Sequence, residues 1–370
     1  MHRLLCLFVV PLLAVTSLAA ESLQDQLDAR RDAFEAGATP EKIALYADGI
    51  DSVTNSGIYD DAIKVGDIAP DFALTGADGE TVKLSALLEK GPVVLTWYRG
   101  GWCPYCNIAL AALQGSLGEI QDAGATLVAL TPELPDHSLD TAEKAELEFE
   151  VLSDIGNAVA RDYGIVFKMT DGVAAAMHAF AQTRERNGDD SDELPLSATY
   201  MIAPDGEVTY AFLDAEYRNR AEPSRLIDAL KVLENGPDAR HSLLQFWENT
   251  WNPPYDIDLV DRLMSEDFVI TTAGTDIVGR ENFKDWIRGF QSRIGDLRIK
   301  NQDIFLSESG DRVVSRWQVS GHNKGLFETE PDGAEASFTG IAVWEWEDGK
   351  LTHNWVERSA HELYQDLTQD

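Results

Sequence analysis

Residues 92–106 constrain this chain more than any other stretch. Pro92-Val93-Val94-Leu95-Thr96-Trp97 is a continuous apolar run. Tyr98-Arg99-Gly100-Gly101 interrupts it, and Trp102-Cys103-Pro104-Tyr105-Cys106 opens a helical pattern carried by Ile108, Leu110, Leu113, Leu117 and Ile120. An apolar run without alternation fits a strand buried on both faces of a helix-covered sheet. The spacing predicts strand, loop and helix, with two cysteines at the helix N-terminus and the helix ending near Gly124. A helix N-terminus offers unpaired N–H groups and the positive end of the dipole. Both favour a thiolate, the nucleophilic form of cysteine. The Cys-x-x-Cys spacing also lets Cys103 and Cys106 close a disulfide within one turn, so the stretch is a candidate thiol redox centre. A structural disulfide and half of a zinc site are the alternatives. Zinc takes about four ligands. After the first twenty residues there is no other cysteine, and His137 and His178 are too scattered to complete a site, so no metal is expected.

At 370 residues the chain is long enough for two domains, and its 44% hydrophobic content suits packed cores. The net charge of −34, from 64 acidic and 30 basic residues, argues against nucleic-acid binding, which needs a basic footprint. His2 and Arg3 precede the apolar residues 4–15, and Ser17-Leu18-Ala19-Ala20 then supplies small residues before Glu21. This is the pattern of a secretory signal peptide over 1–20, too short to span a membrane. Its cleavage would remove Cys6 and leave Cys103 and Cys106 in an exported, periplasmic-type setting where disulfides persist. No later stretch is apolar enough for a membrane span, so no membrane association is expected after cleavage.

Residues 21–60 read as a helical arm. Leu23, Leu27 and Phe34 share one stripe, and Thr39-Pro40-Glu41 starts a second helix with Ile43, Tyr46 and Ile50. The arm is expected to pack on its own domain, with a homodimer contact as the alternative. Asp78-Gly79 signals a hairpin turn, and Ser85 is expected to cap a short helix. Thr126-Leu127-Val128-Ala129-Leu130 is a second buried strand, and a charged helix with Leu139, Ala142, Ala145 and Phe149 follows it. Residues 184–193 read as a surface loop. Ala198-Thr199-Tyr200-Met201-Ile202 and Val208-Thr209-Tyr210-Ala211-Phe212 are paired strands across a Pro204-Asp205-Gly206-Glu207 turn, and Pro223 opens a last helix. Strand–helix alternation closed by a hairpin and a helix predicts an α/β thioredoxin-like domain, a central mixed sheet flanked by helices, over 61–235.

Residues 63–234 resemble the peroxiredoxin-like proteins of the alkyl hydroperoxide reductase and thiol-specific antioxidant (AhpC/TSA) superfamily. The resemblance lies in Val65-Gly66-Asp67-Ile68-Ala69-Pro70-Asp71-Phe72, the segment 97–106, Ser153-Asp154 with Tyr163-Gly164, and residues 199–206. It implies a thiol-dependent antioxidant peroxidase that needs no cofactor and is regenerated by a thioredoxin-like dithiol. It places Cys106 at the peroxidatic cysteine and Cys103 at a threonine that helps polarise the peroxide. In thioredoxin-type reductases the first cysteine of Trp-Cys-x-x-Cys attacks, which here is Cys103. The substrate is thus a hydroperoxide on one reading and a disulfide on the other. The family's thiolate-stabilising arginine matches Ser197 here. Arg99, with Tyr98 and Trp102 beside it, is the candidate to support the thiolate; a solvated loop arginine is the alternative. No Gly-rich phosphate loop occurs, so neither NAD nor flavin is expected.

Asn235-Gly236-Pro237-Asp238 marks a linker. Leu243, Leu244, Trp247 and Trp251 then lie at helical spacing, Leu259, Leu263 and Met264 mark a second helix, and Phe283, Trp286, Ile287 and Phe290 a third. Period-two strands over 296–306, 312–320, 337–347 and 350–358 predict an antiparallel meander and an α+β unit over 236–370. Phe246-Trp247-Glu248-Asn249-Thr250-Trp251-Asn252, Gly279-Arg280-Glu281-Asn282-Phe283 and residues 321–325, 338–340 and 348–355 resemble the SnoaL-like ester cyclase group. That resemblance implies a cone-shaped domain with a pocket for a small ligand of unknown identity. His353, Trp355 and Glu357 share one face of the last strand by parity. Facing inward, His353 and Glu357 could do acid–base work; otherwise the tryptophans are core. A ligand-binding or cyclase protein acting through this pocket is the third functional reading.

Overall fold

The apolar run forms the middle strand, Val93–Trp97, of a five-stranded sheet, and each of its residues is buried. The computed structural model describes residues 22–76 and 79–368. The leader expected at 1–20 and Asp78 of the expected turn lie outside them. In spatial order the strands are Glu150–Ser153, Thr126–Thr131, Val93–Trp97, Ser197–Ile202 and Val208–Asp214. The first three are parallel, and the last two each run antiparallel to the strand before. Strand alternation divides the core. Val93, Leu95 and Trp97 pack on one face with Tyr163 and Tyr200, while Val94 and Tyr98 pack on the other with Leu110, Leu113, Met201 and both cysteines.

The cysteine helix, Pro104–Gly115, lies on the Val94 face, with proline at its first position, where no N–H is missed. It is shorter than expected. Ser116 leaves helical geometry after Gly115, and a separate helix, Leu117–Asp122, carries Leu117 and Ile120 into the core. The arm forms as Leu23–Gly37, with a Ser22–Asp25 capping box, and Pro40–Thr54, capped by Thr39. Leu23 and Leu27 are buried in the same core as the cysteines, so the arm packs on its own domain.

Some expectations fail for local reasons. Ser85 does not cap the helix Leu84–Leu88; its N–H donates instead to Asp71 Oδ1 at 2.9 Å. The stretch 184–193 is not a plain loop. Thr183–Asn187 is helical, and Glu193–Pro195 pairs with Val166–Lys168. Ahead of it, the helix Asp171–Ala181 packs on the arm helix Pro40–Thr54, where a Cβ on Gly49 would lie 2.8 Å from Val173.

After Gly236 a second unit begins with the helix Ala239–Gln245, capped by Asp238, and a π-helical turn, Phe246–Thr250. Its sheet has six strands in the order Thr275–Val278, Met264–Thr272, Lys350–Arg358, Glu335–Glu347, Arg312–Asn323 and Ile294–Leu306, with the helix Arg280–Gln291 packed against it. Met264 opens a strand rather than closing a helix. That strand lies parallel to Lys350–Arg358, so the sheet is more than an antiparallel meander. Phe246, Trp247, Trp251, Phe268, Phe283 and Trp344 fill its concave side.

Candidate active site

The loop that carries the cysteines is shaped by its two glycines. A Cβ on Gly101 would lie 2.1 Å from Thr141 Oγ1, and Gly100 has φ 149°, a conformation that side chains resist. The buried Glu133 carboxylate accepts the Gly101 N–H at 2.8 Å and is itself held by Arg186. The loop is thus fixed before the helix starts.

Cys103 is the N-cap residue of the helix and Cys106 lies three residues on; both are fully buried free thiols. Cys103 Sγ accepts the Cys106 N–H at 3.4 Å and the Arg99 Nη2 donor at 3.4 Å. Cys106 Sγ accepts Arg220 Nη2 at 3.0 Å. Each sulfur therefore has its own guanidinium. Burial pushes the Cys103 thiol up, but the hydrogen bond from Cys106 and the charges of Arg99 and Arg220 outweigh it and hold Cys103 well below the usual thiol range. Cys106 is pushed well up, by burial and then by its bond to Cys103 and the charge there. The two thiols share one ionisation, and the opposite directions of their shifts favour Cys103 as the thiolate.

Arg99 is buried rather than solvated. Its Cζ lies 4.1 Å from the Tyr217 ring centroid and 5.3 Å from that of Trp102. Tyr98 packs in the same core as the cysteines. The sequence-predicted residues Cys103, Cys106, Tyr98, Arg99 and Trp102 are thus brought together. Ser197, where the resemblance placed an arginine, is a buried strand residue paired with Asp214. Arg220 was missed. It comes from the loop after Val208–Asp214, whose only sequence signal is the pair of cations Arg218 and Arg220 in a strongly acidic chain. Tyr217, from the same loop, was missed as well.

A cavity of about 160 Å³ adjoins this loop, between the arm, the helix Asp171–Ala181 and the redox site. Phe34, Ile50, Phe167, Met177 and Phe180 give it apolar walls. Arg30, Lys42 and Arg99 are its charged walls, and among the described residues no carboxylate lines it. Its volume matches that of an engineered cavity of ~150 Å³ that takes up benzene.

The residues expected to form the second domain's site share one strand face, but that face points outward. His353, Trp355 and Glu357 lie on the outer face of the last strand; His353 stacks on Trp355 at 3.7 Å, and Trp355 is 36% exposed. The inward face belongs to Asn354, Val356 and Arg358. The buried Leu351 points to odd-numbered residues as the inner set, but the register slips between Leu351 and His353, and this bulge reverses the parity. The cavity on that side is about 30 Å³, room for a water or two. Asn354 Oδ1 and the indole Nε1 of Trp247, Trp251 and Trp317 line it without a protein partner. Among the described residues, no group of three or more His, Cys, Asp and Glu side chains is placed to hold a metal ion, and no helix is long and apolar enough to cross a membrane.

Residues 65–211 match the AhpC/TSA family and residues 243–354 match the SnoaL-like domain. The chain therefore joins an AhpC/TSA domain to a SnoaL-like domain. Peroxiredoxin Q, chloroplastic, of Triticum aestivum is 28% identical over 182 residues, covering 49% of this chain and 71% of that protein. Peroxiredoxin Bcp of Escherichia coli (strain K12) is 31% identical over 103 residues, covering 28% of this chain and 65% of that protein. A solved structure of peroxidoxin BcpB from Mycobacterium tuberculosis, 21% identical, covers 48% of this chain and 99% of its own, with a TM-score of 0.38.

Proposed function

We propose that the first domain is a thiol peroxidase that reduces hydroperoxides through Cys103 and Cys106. The observation that carries the reading is a pair of buried sulfurs at one helix N-terminus, each gripped by an arginine, in a domain of the AhpC/TSA type. The Cys103 thiolate attacks the terminal oxygen of the hydroperoxide. The O–O bond breaks, the alkoxide leaves and takes a proton from solvent to become the alcohol, and Cys103 becomes a sulfenic acid. The Cys106 thiol then displaces water and closes the disulfide. An external dithiol of thioredoxin type restores both thiols and becomes a disulfide itself. The family resemblance gives the first attack to Cys106; the charge distribution favours Cys103. The apolar cavity beside Arg99 supports a ring-sized organic hydroperoxide over hydrogen peroxide.

A second reading is thiol–disulfide exchange without peroxide chemistry. It is favoured by the same feature, an N-cap thiolate at the first cysteine of Trp102-Cys103-Pro104-Tyr105-Cys106. Stopped-flow tryptophan fluorescence of the reduced protein separates the two, because Trp97 and Trp102 flank the pair. Mixing with cumene hydroperoxide is expected to give a faster signal than hydrogen peroxide. The first phase should survive in Cys106→Ser and vanish in Cys103→Ser; the reverse pattern reassigns the first attack to Cys106. Silence towards both peroxides, with rapid oxidation by a small disulfide, would leave the exchange reading. Export is part of the proposal, and N-terminal sequencing of the secreted protein tests it by locating a cut after Ala19 or Ala20.

A further inference from the structure

The two cations of the redox site depend on one loop, and that loop is held from the other domain. Residues 215–220 supply Tyr217, whose ring covers Arg99, and Arg220, which donates to Cys106 Sγ. The loop leaves the sheet at Asp214, which is buried. Asp214 Oδ2 accepts Asn219 Nδ2 at 2.8 Å, and its Oδ1 accepts the Glu216 N–H at 2.9 Å, so this carboxylate ties the loop's two ends together. Both of its oxygens are also taken by Arg298 of the second domain, Nη2 on Oδ1 at 2.9 Å and Nη1 on Oδ2 at 3.1 Å. A two-point guanidinium–carboxylate pair fixes direction as well as distance.

Arg298 is aimed at this carboxylate by an irregularity in its own strand. The register of Ile294–Leu306 against its neighbour slips between Gly295 and Arg298, and Asp296 between them has φ 51°. Bulges of this kind re-aim a side chain, and a non-glycine residue at positive φ is held there only by its surroundings. Arg225 and Glu248 pair at 2.7 Å beside this contact, and Tyr255 packs on Tyr59, whose hydroxyl accepts the Ala215 N–H at 2.7 Å.

We infer that the second domain positions the redox centre of the first, with Arg298 and Asp214 as positioning residues that hold the loop bearing Tyr217 and Arg220 against the two thiols. The inference rests on the reading of Cys103 and Cys106 as a redox pair. It gives the fused domain a task that needs no ligand in its cavity. When Arg298 is lost the loop relaxes, and the cations facing the pair, Arg99 and Arg220, lose their fixed places. The other titratable groups at the pair, Tyr98, Tyr105 and Tyr217, are neutral at pH 7 and do not replace them. Asp214 itself is faced by Tyr59 and Tyr255 besides Arg298.

The test is the thiolate absorbance of the reduced full-length protein near 240 nm followed against pH, with the Cys103→Ser/Cys106→Ser protein as blank. Arg298→Met is expected to raise the thiolate midpoint by about one pH unit, a tenfold loss of thiolate below it. Arg298→Lys keeps the charge but not the two-point grip; it should fall between, and it carries the test if Arg298→Met does not fold. In an Arg220→Met background the effect of Arg298 should shrink to the part that passes through Tyr217 and Arg99, because the Arg220 route is already gone. A folded Arg298 variant with an unmoved midpoint, or equal shifts with and without Arg220, overturns the inference. The peroxidase reading is judged separately: wild-type protein that ignores peroxide while Arg298 still moves the midpoint would sink that reading and leave this one standing.

Discussion

At Cys103 two donors, the Arg99 guanidinium and the Cys106 N–H, converge on one buried atom while Arg220 holds the neighbouring sulfur, so removal of the two cations should be graded. Arg99 donates to Cys103 and Arg220 to Cys106, so Arg99→Met is expected to cost more thiolate than Arg220→Met. Loss of an adjacent cation typically moves a neighbour by about 1–2 units, so the Cys103 midpoint should rise by that much. The sign follows from the direction of the shift. In the wild type the thiolate persists as pH falls, until the depressed midpoint is reached; in Arg99→Met it is lost at higher pH. Below the wild-type midpoint the peroxide rate should therefore drop roughly 10- to 100-fold, and it should recover as pH is raised. A drop that alkali does not restore would point to damaged packing, since Arg99 also fills space against Tyr217 and Trp102. The sequence revealed Arg99 because it is local to the cysteines. Arg220 lies 114 positions from Cys106, and only the sheet order that sets Val208–Asp214 beside Ser197–Ile202 brings it in. Such a contact leaves no periodic trace in the chain.

At the scale of elements, what the sequence revealed depended on how regular each element is. Val93–Trp97 was legible because a strand buried on both faces cannot alternate. Met264–Thr272 was not. Its buried positions are broken by Ser265, Glu266 and Asp267, and its pairing slips between Met264 and Val269, so no clean period survives. The bulge after Leu351 likewise turned His353 and Glu357 outward. The helix Ala239–Gln245 carries a different consequence. His241 is buried there, its pKa lowered to about 4 by burial first and then by the Arg225 charge. Folded protein keeps it neutral, while an unfolded imidazole takes up a proton below about 6.5. The stability this contributes is complete above that value and is lost as pH falls towards 4. By linkage the loss at pH 5 should be about 2 kcal/mol. Urea midpoints at pH 7.5 and pH 5 would measure it, and in His241→Gln this part of the acid slope should disappear. An unchanged slope in that variant would mean that carboxylates alone drive acid unfolding.

For the whole molecule, the question is whether two cores make one cooperative unit. Several contacts cross between them. Val65 packs against both cores. Tyr255 stacks edge-on to Tyr59 with centroids 6.2 Å apart, and its hydroxyl is anchored within its own domain by donating to Leu297 O at 3.0 Å. Asn249 donates to Ala211 O and Gln245 to Thr209 O, so the second domain's first helical segment is bonded to the edge strand Val208–Asp214. The Arg298–Asp214 pair adds a buried carboxylate that loses its partner if the domains part, and an uncompensated buried charge is strongly destabilising. A domain of this size is stable by only about 5–15 kcal/mol, so an interface with these terms is comparable to the stability of either half. Separating the domains while both stay folded should then be rarer than unfolding both. Calorimetry of the full-length protein is expected to give one transition, with calorimetric and van't Hoff enthalpies in agreement. Tyr255→Ala removes from the seam the ring that packs on Tyr59, and with it a hydrogen bond inside the second domain, without touching either cysteine sulfur. It should split the melt in two, the lower transition belonging to the domain that depends more on its neighbour. Two resolved transitions already present in the wild type would mean that the contacts are too weak to couple the cores, and the positioning role of Arg298 would then have to operate across a joint that opens before either domain melts.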